Sequence, residues 1–316
     1  MVVIGTWNLE NLFRPGGDGP PDQAAYDTKL DALRDTITAF GPDVLAVQEV
    51  GDPAALDDLA GRLPGPWHTT CSGHPDARGI RVGFLSRLPL TVVADTAALP
   101  PKLAPVQVAD PPAARSDALG RGALAVTVED APGTTLTLIT CHLKSKLLSY
   151  PGGRFAPHGE GERARYGAYA LYRRTAEATA VRDLATTLLQ AGEQERLIVL
   201  GDLNDEATAA TTQILLGPPG SEIGTTGFDR PDGGDRWRLW NLAALIPAER
   251  RYSRVNNGRR ELIDHVLVSH ALVKPFPGVD VVHEGKLPSV TDRPAAHVSA
   301  SGSDHAPVVA TFPPAG

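Results

Sequence analysis

Five short apolar stretches of this chain run directly into polar side chains, and this pattern constrains the fold more than any other feature. Trp7 is followed by Asn8, Gln48 by Glu49, and Cys141 by His142. Leu200-Gly201 leads into Asp202, Leu203 and Asn204, and Leu262-Ile263 leads into Asp264-His265. A sixth cluster, Ser303-Asp304-His305, stands just before the last apolar run. A buried strand that ends in a charge delivers it to the rim of a sheet, where ligands bind in open α/β sheets. One acid at a strand end commonly just caps a loop or a helix. Six such places supplying Asn, Glu, His, Asp, Asn and Asp-His are harder to read that way. They offer oxygen and imidazole ligands and no cysteine, which suits Mg2+ or Mn2+ rather than structural zinc.

Between these runs, helix and strand patterns intermix. Leu30, Leu33, Ile37 and Phe40 recur at helical spacing, and Gly41-Pro42 ends that helix. Pro53 opens a second helix with Leu56, Leu59, Ala60 and Leu63 on one face. Residues 67–71, 80–85 and 90–94 read as strands, and 123–128 with 136–141 as a hairpin. Residues 99–120 are proline-rich and predict a surface loop. A long helix is predicted over 163–190, with Leu171, Ala178, Val181, Leu184 and Leu188 toward the core. Residues 197–200, 262–268, 279–282 and 307–311 complete the strands. No fixed-period repeat or linker interrupts the chain, so one α/β domain over residues 1–316 is expected, with two sheets and outer helices.

Composition narrows the function classes. Apolar residues make up 42% of 316, but no run approaches the roughly 18 needed to span a bilayer. The net charge of −7 argues against a basic nucleic-acid coat protein, though not against a local basic groove. The first residues carry no signal-peptide pattern, so a cytoplasmic location is expected. Cys71 and Cys141 are then expected to be reduced and buried. Nothing fixes an oligomeric state, and a monomer is the simplest expectation.

The stretches GTWNLENL (5–12), LAVQEV (45–50), ITCHLKSK (139–146), VLGDLND (199–205), ELIDHVLVS (261–269) and GSDHAPV (302–308) resemble the endonuclease/exonuclease/phosphatase superfamily, in that family's order. This group includes DNase I-like nucleases and apurinic endonucleases. The resemblance implies a four-layer α/β/β/α sandwich, two mainly antiparallel sheets flanked by helices. It implies that Glu49 is the principal Mg2+ ligand, with Asn8 and Asp304 beside the metal and its waters, and Glu10 close to the same ion. Asp202 and Asn204 match the pair that binds the phosphate or the attacking water. His305 matches the catalytic imidazole, Asp264 the acid that orients it, and His142 a second histidine of the DNase I-like and phosphatase branches.

The chemistry asks for the same inventory. Phosphodiester hydrolysis needs an in-line water, a proton acceptor and neutralisation of the phosphoryl oxygens. His305 or Asp202 can take the proton, and the sequence leaves that choice open. His142 can bind a phosphoryl oxygen or protonate the leaving group, while Lys144 and Asn204 add donors. His265, next to Asp264 on a strand, should face the other way and act structurally. His68, His74, His158, His270, His283 and His297 match no motif and read as loop or surface residues. Lys146 shares the face of Lys144 or is solvated, and Arg81 is a weak match to a phosphate contact.

Residues 142–174 hold seven Lys or Arg against two acids, and Arg250, Arg251, Arg254, Arg259 and Arg260 precede Asp264. If both strips line a cleft, a polymeric polyanion is the natural substrate. The leading expectation is therefore a metal-dependent nuclease acting on DNA. The alternatives are a phosphoesterase for small inositol- or lipid-type phosphates, with no amphipathic hairpin to favour a membrane, and a non-catalytic nucleic-acid-binding member. The last would be expected to have lost the metal Glu or the His-Asp pair.

Overall fold

The computed structural model describes residues 1–112, 115–192, 194–283, 287–290 and 302–313, and His297 lies outside them. In chain order, β1 (Val2–Leu12), α1 (Gln23–Phe40), β2 (Val44–Val50), α2 (Pro53–Ala60), β3 (His68–Cys71), β4 (Arg81–Ser86) and β5 (Thr91–Ala98) come first. A small ribbon, β6 (Val106–Gln107) with β7 (Arg115–Ser116), precedes the hairpin of β8 (Ala118–Ala131) and β9 (Thr134–His142). Then follow α3 (Glu160–Leu188), β10 (Leu197–Asp202), α4 (Ala210–Gln213), β11 (Trp240–Asn241), β12 (Arg254–Asn256) and β13 (Arg259–Glu261). β14 (Asp264–Val268), α5 (His270–Val273), β15 (Gly278–Val281), β16 (Ser289–Val290) and β17 (Val308–Phe312) close the chain.

The strand alternation explains the layers. On β1, Val2 and Ile4 face the space between two sheets, while Trp7 and Leu9 pack outward against α1 and α2. On β10 the same period of two sends Ile198 and Leu200 inward and Leu197 and Val199 outward, onto α3. Each sheet thus has two apolar faces, one shared with the other sheet and one covered by helices. The first sheet has the order β15-β17-β1-β2-β4-β3 and the second β11-β14-β10-β9-β8-β5. One central pair in each is parallel, β1 with β2 and β9 with β10, and the other pairs are antiparallel. This is the expected four-layer sandwich of two mainly antiparallel sheets. The carboxyl ends of the two parallel pairs open at one edge, and there the polar clusters meet.

Local sequence sets the helix limits. Asp22 caps α1 by accepting from the Ala25 N–H at 2.8 Å, and Gly41, left-handed at φ 57°, ends it. Leu171 departs from expectation: it is exposed. The buried stripe of α3 runs through Ala170, Arg174, Glu177, Ala178, Val181 and Ala185, and Leu171 lies off it. Two buried charges in that stripe disguised it in the sequence. Residues 99–120 are not all loop, since they carry β6, β7 and the start of β8. Cys141 is buried, whereas Cys71 on the edge strand β3 is only partly so, and neither forms a disulfide. Among the described residues no helix is long and apolar enough to cross a membrane.

Candidate functional site

The inter-sheet face turns polar as it nears the strand ends. Gln48 Nε2 on β2 donates to Thr6 Oγ1 on β1 and to Thr140 Oγ1 on β9, both at 3.1 Å, which joins the two sheets through fully buried side chains. Beyond this layer, His142, Asp202 and Asp264 lie side by side, in register on β9, β10 and β14. Asn8 reaches across from β1, and its Nδ2 donates to Asp202 Oδ2 at 3.1 Å and to Glu49 Oε1 at 3.2 Å.

Regular alternation would turn Glu49 outward with Leu45 and Val47. Instead its backbone is left-handed, at φ 61°, and the pairing of β2 with β4 shifts register between Val47 and Val50. Such a bulge re-aims a side chain. Glu49 Oε2 consequently accepts the Asn11 N–H at 2.9 Å, and Glu49 lines the site cavity. Glu10, Asn11 and Asn204 also have positive φ, of 49°, 54° and 53°. Strain of this kind, about 1–3 kcal/mol per residue, gathers at functional sites. Gly201 (φ 147°) is forced, because a Cβ there would stand 2.0 Å from the Cys141 carbonyl oxygen.

His305 enters from the segment before β17. Its Nδ1 lies 2.7 Å from Asp264 Oδ2, and the same oxygen accepts Ser253 Oγ–H at 2.6 Å. Trp7 Nε1 donates to the His305 carbonyl at 2.8 Å, and Ser303 Oγ donates to the Asn8 carbonyl at 2.6 Å, so β1 grips this segment. Burial opposes charge on the His305 ring, but Asp264, Asp304 and Asp202 outweigh it and raise its pKa to about 10. Asp202 is raised far above the ordinary carboxylate value, first by burial and then by the charge of Asp264. His142 Nε2 stands 3.3 Å from Asp202 Oδ2. Burial, then Arg121 and His305, hold its pKa well below 6.5, so the ring is neutral at neutral pH.

A cavity of about 700 Å³ covers these groups. Asn8, Glu49, His142, Lys144, Asp202, Asn204, Asp304 and His305 all line it, and Asp264 stands behind, fully buried. Asn204 Nδ2 donates to the Leu143 carbonyl at 3.0 Å. Lys144 Nζ donates to the carbonyls of Ser145 and Leu147, at 3.0 and 2.9 Å, and burial lowers its pKa to about 8. His265 faces the other way, as expected: its Nε2 meets the Asp205 carbonyl at 2.9 Å and its Nδ1 the Asn241 amide at 3.1 Å.

The model of the Endonuclease/Exonuclease/phosphatase family matches residues 5–305. The chain belongs to that family. Its members are phosphoesterases, and this chain has their fold. Similar solved structures include a truncated TDP2 from Caenorhabditis elegans (16% identity, TM-score 0.56, 98% of this chain and 96% of that one). The human Nocturnin catalytic domain with bound sulfate is similar too (16%, 0.55, 99% and 94%). So is a mannosyl-6-phosphatase from Bacteroides thetaiotaomicron (15%, 0.54, 99% of both). No curated protein sequence matches this chain.

The residues present fit the divalent ion on which the family generally depends. The Asp304 side chain is 12% exposed, yet among the described residues it accepts no hydrogen bond. Its nearest cationic groups are the His305 ring at 3.9 Å and Arg254 at 4.0 Å. A buried carboxylate so poorly compensated favours a cation beside it. The buried Asp202, Asp264 and His305, with ligand atoms within 4.8 Å of one another, form a second group that could hold a metal.

Sequence reasoning missed several lining or supporting residues. Arg78 and Arg121 line the cavity, whereas Arg81 bonds the Gly79 carbonyl instead. Ser253, a single hydroxyl outside any motif, gave no signal. Glu177, 1% exposed in the middle of α3, accepts the backbone N–H groups of Gly120 and Lys144 at 3.0 and 2.6 Å. Its signal was a charge among the alanines of a core-facing stripe. The basic strip behaves unlike a phosphate track. Arg163 pairs with Glu160, Arg165 with Asp110 and Arg173 with Glu177, and none of the three lines the cavity.

Proposed function

We propose that this chain, as one domain over residues 1–316, is a Mg2+- or Mn2+-dependent phosphodiesterase that cuts nucleic acid, DNA first. The observation that carries this reading is the meeting of the His305–Asp264 pair with Asp202, at one end of a cavity that Glu49 and Asp304 line. A divalent ion bound by Glu49 and Asp304, with Asn8 beside it, would neutralise charge on the phosphoryl group. The ordering of pKa values divides the remaining roles. His305 is already protonated near neutrality, so it holds a phosphoryl oxygen as an imidazolium fixed by Asp264. Asp202, its pKa raised, takes the proton of the attacking water. Asn204 orients that water, neutral His142 holds a second phosphoryl oxygen, and Lys144 helps bind the substrate.

Nucleic acid is favoured by the rim. Lys144 and Arg254 stand there beside Arg78, Arg121 and Lys146, which pair with Asp18, Asp76 and Asp205 yet still face the cavity, and Phe155, half exposed, offers a surface on which a base can stack. The pairing of Arg163, Arg165 and Arg173 with their own acids favours a second reading, a smaller phosphate ester held wholly in the cavity. The similar mannosyl-6-phosphatase fold illustrates such a substrate class. The test is the purified protein with Mg2+ or Mn2+ against plasmid DNA, single-stranded RNA, a bis-aryl phosphodiester and a sugar phosphate, with EDTA controls. Metal-dependent nicking of the plasmid supports the first reading. Turnover of the sugar phosphate alone supports the second, and no hydrolysis of any of them overturns both.

A further inference from the structure

Lys29 lies on α1, next to the buried stripe of Tyr26, Leu30, Leu33 and Ile37, and its side chain runs inward beneath the rim of the site. Its Nζ donates to the Glu10 carbonyl at 2.8 Å and to the Gly302 carbonyl at 2.9 Å. These carbonyls belong to the two segments that carry the metal-side groups. Glu10 lies near the end of β1, two residues after Asn8, in left-handed backbone at φ 49°. Gly302 leads into Ser303, which bonds the Asn8 carbonyl, and then into Asp304. One ammonium therefore ties the end of β1 to the segment bearing Asp304 and His305. Burial lowers the Lys29 pKa below the ordinary lysine value, and the charges of Glu10, Glu49 and Asp304 act against that by favouring the ammonium.

We infer that Lys29 is a resident counter-cation for the metal-side carboxylates, a positioning residue that clasps the rim together before metal binds. This rests on the divalent-ion reading above. The Glu49 and Asp304 carboxylates line one cavity and, as like charges in a partly buried place, repel each other. The ammonium relieves that repulsion in the metal-free protein. The same positive charge opposes a divalent ion placed among these acids, so Lys29 lowers metal affinity while it supports the empty site.

The experiment is thermal denaturation of wild type, Lys29→Met and Lys29→Arg, in EDTA and with saturating Mn2+, with Mn2+ affinity measured by calorimetry. Lys29→Met, which keeps the stem but loses the charge and donors, should lower the metal-free Tm by about 3 °C or more. It should gain more from Mn2+ than wild type does and bind the ion about tenfold more tightly. Lys29→Arg should stay close to wild type in both. If Lys29→Met does not fold in EDTA, Lys29→Gln takes its place, with the same expected ordering. A Mn2+ increment in the variant equal to or below that of wild type overturns the inference, since a purely structural lysine would leave it unchanged. Absence of any Mn2+ increment in wild type would instead sink the metal reading itself.

Discussion

Ser253 does for Asp264 what Asp264 does for His305. Its hydroxyl donates to Asp264 Oδ2 at 2.6 Å and accepts the N–H groups of Ile263 and Asp264 at 3.2 Å. Hydrogen bonds to charged groups contribute roughly 1.5–3 kcal/mol, so Ser253→Ala should cost about tenfold or more in turnover. His305→Ala and Asp264→Asn should each cost orders of magnitude, and the double variant little more, because groups acting as a unit are non-additive. Strictly multiplicative losses in a double-mutant cycle would separate them. The His305 ring also predicts a pH dependence of stability. Its folded pKa, about 10, lies above the ordinary value of about 6.5. The stability it contributes is therefore complete below about pH 6.5 and is lost as pH rises through about 10. In EDTA, the Tm of wild type should fall between pH 7 and 10 more steeply than that of Asp264→Asn. Coincident profiles would mean that the folded ring carries no extra proton.

At the scale of elements, the strand ends were legible because each one pairs an apolar run with a polar stop. Asn8, His142, Asp202 and Asp264 follow from alternation alone: each continues the parity of the inward residues before it. Glu49 does not, and its inward turn depends on a bulge that no alternation predicts. Lys29 and Arg121 were invisible because their partners are distant in sequence, and Ser253 because a lone hydroxyl belongs to no motif. Gly201 is where the sheet geometry is least forgiving, with a close carbonyl and a left-handed backbone at once. Gly201→Ala should destabilise the fold by about 3 kcal/mol in urea denaturation. A loss under about 1 kcal/mol would show that β9 and β10 can part to admit a methyl group.

Across the whole molecule, two sheets present the ends of their parallel pairs at one edge, and the site belongs to neither sheet alone. Asn8, Glu49, Asp304 and His305 come with the first sheet, and His142, Asp202 and Asp264 with the second. Distant surface charges have little part in the proposed chemistry. Replacing Arg163 and Arg165 with Ala removes two solvent-exposed ion pairs, which contribute little. Cleavage rates on DNA should then change by less than about threefold, and a larger loss would restore the basic strip as a substrate track. The proposed chemistry makes hydrolysis depend on a divalent ion among the carboxylates of Glu49 and Asp304. The most direct measurement is the rate of plasmid nicking and of aryl phosphodiester hydrolysis against Mg2+ concentration, for wild type, Glu49→Gln and Asp304→Asn, starting from EDTA-treated protein. Wild type should be inactive without metal and should saturate as Mg2+ rises, while both variants should need far more ion and remain slower. Full hydrolysis in EDTA, or variants that follow the wild-type curve, would show that these carboxylates hold no catalytic ion.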